Sequence, residues 1–169
     1  MRLFAALLLL SLVGFSQTPP APTKMFSHLK SWANEYPINN AVRPRRNFFK
    51  LPEIDSSLHR ILDQSQYKRL LDAMGLISPI DVIDQYLVIK GVTNPHSGND
   101  LENALVAVRL YNGDIFVAIE GEDGHVDWYC TAGKYTDLPD KIRAEIDPEA
   151  AIEWGERIAA AARAKISKR

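Results

Sequence analysis

The chain has 169 residues, and 46% hydrophobic with 24% charged side chains is the composition of a folded domain. Its 20 Lys and Arg against 21 Asp and Glu exclude a strongly basic nucleic-acid binder. Cys130 is the single cysteine, which excludes an intramolecular disulfide and a cysteine-built zinc cage.

Residues 1–16 read as an export signal. Arg2 supplies a thin positive start, Leu3 to Val13 is apolar except for Ser11, and Gly14-Phe15-Ser16 offers small residues before cleavage at Gln17. The run is short of the roughly 20 residues that span a bilayer, and no cysteine follows it for lipidation. The expected location is the periplasm or the exterior, with no stable membrane insertion after signal removal. Taking 16 from 169 residues leaves 153, enough for one core without a disulfide, carrying 19 basic and 21 acidic groups, a net charge of −2.

Residues 17–55 are expected to form a Pro-rich spacer and an irregular N-terminal segment. Pro19, Pro20 and Pro22 extend the first part; Phe26, Leu29, Trp32 and Ala33 suggest one short amphipathic helix, and Pro37, Pro44 and Pro52 break any regular element after it. Arg43, Arg45, Arg46 and Lys50 flank Phe48 and Phe49. That pattern fits an anionic-surface binder, but with an export signal it reads better as a loop pinning two phenylalanines on the domain while its arginines stay solvated.

Residues 56–169 are expected to form the domain proper. Ser56 or Ser57 is placed to cap a helix whose Leu58, Ile61, Leu62, Leu70, Leu71 and Met74 share a face, stopping at Gly75, with His59 on the outer face. After a break at Ser78-Pro79 the period becomes that of strands. Gln85–Val92 is β-branched-rich, Ala104–Tyr111 alternates as a half-buried strand, Asn112-Gly113 turns, and Ile115–Ile119 returns. Asp123-Gly124 turns again into Val126–Cys130. Helix is expected at Pro139–Ile146 and from Pro148 to about Lys165, where Ile152, Ile158, Ala159, Ala162 and Ile166 make an apolar stripe read as packed on the sheet. The fold class is α+β: an antiparallel sheet meander flanked by N-terminal and C-terminal helices.

Charge is uneven. Residues 17–80 carry +4, residues 81–130 carry −7 and residues 131–169 carry +1. The sheet region is acidic, which suits steering of a basic partner and equally suits strands with protected edges.

The stretch Gly91 to Asp100 joins two strands with more residues than a tight hairpin needs, and His96 stands near its apex. Three functional readings compete with an ordinary surface turn. His96 is a catalytic base oriented by Asp100 or Asp127, although no nucleophile elbow is present and Cys130 reads as a buried strand residue. Alternatively His96 and His125 join carboxylates at a metal, without any metal-ligand spacing to support it. In the third, the loop is a recognition element entering a partner's cleft.

The segment from about Leu58 to Ile146 resembles the inhibitor of vertebrate lysozyme family of exported bacterial proteins. Tyr86-Leu87-Val88-Ile89 leads to Thr93-Asn94-Pro95-His96-Ser97-Gly98, then to Ala104-Leu105-Val106-Ala107-Val108, where the family has a strand, a Cys-Lys-Pro-His-Asp-Cys-Gly-like loop and an Ala/Val-rich strand. Gly113-Asp114-Ile115-Phe116 and Leu138-Pro139 also fit. The resemblance implies an antiparallel sheet with helices and a loop histidine, here His96 behind Pro95, that enters the active-site cleft of a c-type lysozyme. Thr93 and Gly98 stand where the family's two loop cysteines do, so the loop disulfide is absent. The expectation is a binding protein without catalysis or cofactor, partnered with a muramidase such as a basic c-type lysozyme. Thr93, Asn94, Pro95, His96, Ser97, Gly98 and Asp100 are its contact residues. The rivals are a small exported enzyme using His96 and a carboxylate, and an envelope interaction domain recognised around Phe48 and Phe49.

Overall fold

Apolar residues at successive positions, not only alternate ones, dominate three of the strands, and this decides the layering. Residues 26–39 and 45–166 are described in the computed structural model. Residues 1–16, expected to be an export signal, the proline-rich stretch after them, Arg43, and the side chain of Ile166 lie outside the described residues. Among the described residues no helix is long and apolar enough to cross a membrane.

The chain forms β1 (Ile38–Asn39) and β2 (Arg46–Asn47), then helices α1 (Pro52–Ile61) and α2 (Gln64–Ala73). Next come strands β3 (Leu76–Ile77), β4 (Asp81–Ile83), β5 (Tyr86–Val92), β6 (Asn103–Arg109), β7 (Ile115–Glu120) and β8 (Val126–Cys130). Helices α3 (Asp140–Arg143) and α4 (Pro148–Ile166) end the chain. β1 and β2 pair with each other; β5 to β8 form an antiparallel meander, with β3 and β4 both pairing along β5. The fold is α+β with an antiparallel sheet and flanking helices, as the sequence pattern implies.

The sheet is covered on both faces. Leu87, Ile89, Val106, Val108, Val117 and Ile119 point toward α1, α2 and the N-terminal aromatics. Tyr86, Val88, Leu105, Ala107, Phe116 and Ala118 point the other way, onto Leu138, Ile142 and Ile146. Ala104 to Val108 is therefore buried at every position, where a half-buried strand was expected. The cause is the C-terminal segment, which closes the second face.

The helical region begins earlier than Ser56 and is two helices. Pro52 takes the first position of α1, where its missing N–H costs nothing, and Glu53 and Asp55 suit the positive end of the helix. α2 starts afresh at a reciprocal cap: Asp63 Oδ1 accepts from the Gln66 N–H, and Gln66 Oε1 accepts from the Asp63 N–H, both at 2.8 Å.

Phe26, Leu29, Trp32, Phe48 and Phe49 of the irregular N-terminal segment belong to the same core as the sheet, Phe48 and Phe49 being pinned on the domain as expected. Phe48 and Phe49 are fully buried, each contributing about 1.5–3 kcal/mol by leaving water. Arg45 and Arg46 are both exposed, and Arg46 lies over the Trp32 ring at 4.1 Å. Phe26 fills the space over the Asn112-Gly113 turn, where Gly113 has φ +78° and a Cβ would sit 2.0 Å from the Phe26 ring.

The stripe on α4 is the clearest departure. Ile152 and Ile158 are 65% and 51% exposed, so this face does not pack on the sheet. Leu138, Ile142 and Ile146, just before it, already occupy that sheet face.

Candidate functional site

The β5–β6 loop leaves the sheet at Thr93 and returns at Glu102, and its shape is set by hydrogen bonds at two levels. At the base, the Thr93 N–H donates to Glu102 O at 2.9 Å, and the Glu102 N–H donates to Thr93 Oγ1 at 3.2 Å. Thr93 is only 1% exposed. The Thr93 side chain thus helps to close the loop at its base. At the tip, Asn94 Oδ1 accepts from the His96 N–H at 3.0 Å, and Asn94 O accepts from both the Ser97 N–H and Ser97 hydroxyl at 2.9 and 2.7 Å. The Ser97 hydroxyl oxygen accepts from the Asn99 N–H, and Gly98 turns the chain at φ +75°.

The surrounding elements hold this loop from behind. Gly75 follows α2 so closely against it that a Cβ would lie 2.9 Å from Asn94 N. Gly91 makes the same allowance at the end of β5, where a Cβ would meet Met74 Sδ at 2.6 Å and Ala73 O at 2.9 Å. Arg69 of α2 reaches Glu102 Oε1 at 2.5 Å and Asp127 Oδ2 at 2.6 Å, tying helix, loop base and β8 together. Burial opposes the Arg69 charge, and the bonds to Asp127 and Glu102 outweigh it, so its pKa stays above the ordinary arginine value. On the outer side, the Leu101 N–H donates to Glu122 Oε1 at 3.0 Å, linking the loop to the β7–β8 turn.

Pro95, His96, Ser97, Gly98 and Asp100 are all exposed, and Asn94 is half-buried. The exposed His96 ring makes no hydrogen bond or ion pair among the described residues. Asp100, Glu120, Glu122 and Asp123 stand at this same end of the sheet, because β6 starts and β7 ends there with Asn103 opposite Glu120. Leu76 and Val92, a cross-strand pair beside the loop, are 50% and 36% exposed, and Leu101 in its returning limb is 52% exposed. Between α2 and the loop lies a polar cleft of ≈ 450 Å³ lined by Lys68, Arg69, Asp72, Asn99, Asp100 and Glu102.

The other sequence readings fare differently. Asp127 is engaged by Arg69 and lies 3.5 Å from His125 Nε2, so it is His125, not His96, that it faces. No group of three or more His, Cys, Asp or Glu side chains able to hold a metal occurs among the described residues. The Cys130 thiol is half-buried and donates to Gly133 O at 3.2 Å; burial, then Asp137 and Asp114, push its pKa up, the reverse of an activated nucleophile. Phe48 and Phe49 have no exposed surface and serve as core residues. His59 is exposed as expected and stacks on Tyr67 at 4.1 Å.

Fold and site together define a class: an α+β domain presenting one internally braced loop from an acidic sheet end. No protein-family model, curated protein or solved structure matches the chain.

Proposed function

We propose that this is an exported binding protein that inhibits a muramidase by inserting the Thr93–Asp100 loop into the enzyme's cleft, without catalysis of its own. The observation that carries the reading is the exposed imidazole of His96, without a partner among the described residues, on a loop already held in one shape. Ordering a free loop costs on the order of 1 kcal/mol per residue on binding, and the Thr93–Glu102 and Asn94–Ser97 bonds remove much of that cost beforehand. Inside a cleft that works with two carboxyl groups, an imidazole offers hydrogen bonds to both.

Two further features support the same face. Asp100, Glu120, Glu122 and Asp123 give it a negative rim, which steers a basic enzyme such as a c-type lysozyme and makes association salt-sensitive. Leu76, Val92 and Leu101 supply apolar contact beside the loop, the composition of an interface centre with a polar rim. The test is a cell-wall lysis assay with c-type, g-type and phage-type muramidases at low and physiological salt. Stoichiometric inhibition of one class, weaker at higher salt, supports the proposal; no inhibition of any class overturns it.

A further inference from the structure

Helix α4 carries an apolar face that the other described residues leave uncovered. Its anchor is short: Ala150 is buried, Trp154 is half-buried, and Arg157 pairs with Asp140 of α3. From Gly155 to Lys165 every residue but Ala159 is exposed. A helix in a folded protein draws most of its stability from packing an apolar face. Yet the face opposite the anchor holds Ile152, Gly155, Ala159 and Ala162, spaced three and four apart, with Ile158 on its border. Ile152 is the most exposed large apolar side chain described.

We infer that this face is covered by α4 of a second copy of the chain, packed antiparallel, so that the protein is a homodimer. The charges choose the occupant. Glu149, Glu153 and Glu156 lie in the first half of the helix, and Arg157, Arg163 and Lys165 in the second. That order suits the helix's own dipole, and an antiparallel copy uses it again by setting acidic half against basic half. Glu156 and Arg163 are seven residues apart and flank the stripe on one side. With the crossing near Ala159, each Glu156 faces the second copy's Arg163 in two symmetric pairs. Gly155, Ala159 and Ala162 let the two backbones approach closely, and a Cβ at Gly155 would meet nothing within 4 Å among the described residues beyond its own helical turn.

The experiment is sedimentation or light-scattering mass against concentration for the purified protein, with circular dichroism as a check on the fold. A mass twice the 19.0 kDa of the chain, less any cleaved signal, is expected. Ile152→Glu returns it to monomer; the residue is exposed, so the core is untouched. Glu156→Arg or Arg163→Glu alone weakens dimerisation at least tenfold, and the double exchange restores it. In a Cys130→Ser background, Ala159→Cys forms an intermolecular disulfide on oxidation. A monomer at the highest soluble concentration overturns the inference, and so does a dimer that is indifferent to Ile152→Glu and to the charge exchanges.

Discussion

Replacing Thr93 by valine keeps the side chain's shape and deletes its hydroxyl, and so tests whether the loop is braced as described. The Thr93 Oγ1 accepts from the Glu102 N–H at 3.2 Å, and its contact with Glu102 O at 3.4 Å is at the limit of a hydrogen bond. One bond of ordinary strength is therefore lost. Because Thr93 is 1% exposed, water does not replace the hydroxyl, and the Glu102 N–H is left unsatisfied. The expected destabilisation is about 1–2 kcal/mol, between the net worth of a hydrogen bond and the cost of an orphaned donor. The Thr93 N–H bond to Glu102 O at 2.9 Å survives, so the loop loosens and does not detach. Urea unfolding reads this as a lower midpoint at unchanged m-value, and hydrogen exchange as faster amides over residues 94–102. An unchanged midpoint together with unchanged loop protection would refute the reasoning.

Gly113→Ala strains a residue at φ +78° and drives its Cβ into Phe26; a loss of at least about 1 kcal/mol is expected from thermal or urea unfolding. Stability should depend on acid through Asp55, whose carboxyl is held below its usual range by the Lys50 ammonium and then the Tyr67 hydroxyl. Its folded pKa lies under the unfolded one, so this stability is present above about pH 4 and is lost as pH falls through the folded pKa. Urea midpoints against pH should show a flatter acid limb for Asp55→Asn. On the alkaline side, Lys90 is raised chiefly by its hydrogen bond to Glu145. Its contribution is complete below about pH 10.4 and disappears as pH rises through the folded pKa, so Lys90→Met should flatten that limb.

The meander was legible because its signals are local. Asn112-Gly113 and Asp123-Gly124 mark turns at which both glycines do adopt positive φ, and the β-branched runs between them are β5 to β8. Phe26, Leu29 and Trp32 were legible as one short apolar face and Phe48 with Phe49 as a pinned pair, but that the two belong to one core was not, because only the sheet they cover gives them a common face. The break at Leu62-Asp63 was hidden by an apolar pattern that continues in phase from α1 to α2. Asp63 followed by Gln66 was the available clue, being a helix-start pair inside an apparent helix. On α4 the 3.6-residue period marks an apolar face and carries no information about what lies opposite it. At the site, Pro95 and His96 stand out in sequence, whereas the Arg69 brace joins residues 33 and 58 positions away.

The most direct measurement of the central claim is the inhibition constant of the wild-type protein and of His96→Ala against the muramidase that the lysis assay selects. His96 is exposed and, among the described residues, is hydrogen-bonded only through its backbone, so the alanine variant should keep the wild-type urea midpoint. The account predicts at least a tenfold weaker inhibitor, the scale of a residue at the centre of an interface. Equal inhibition by the two proteins would contradict loop insertion.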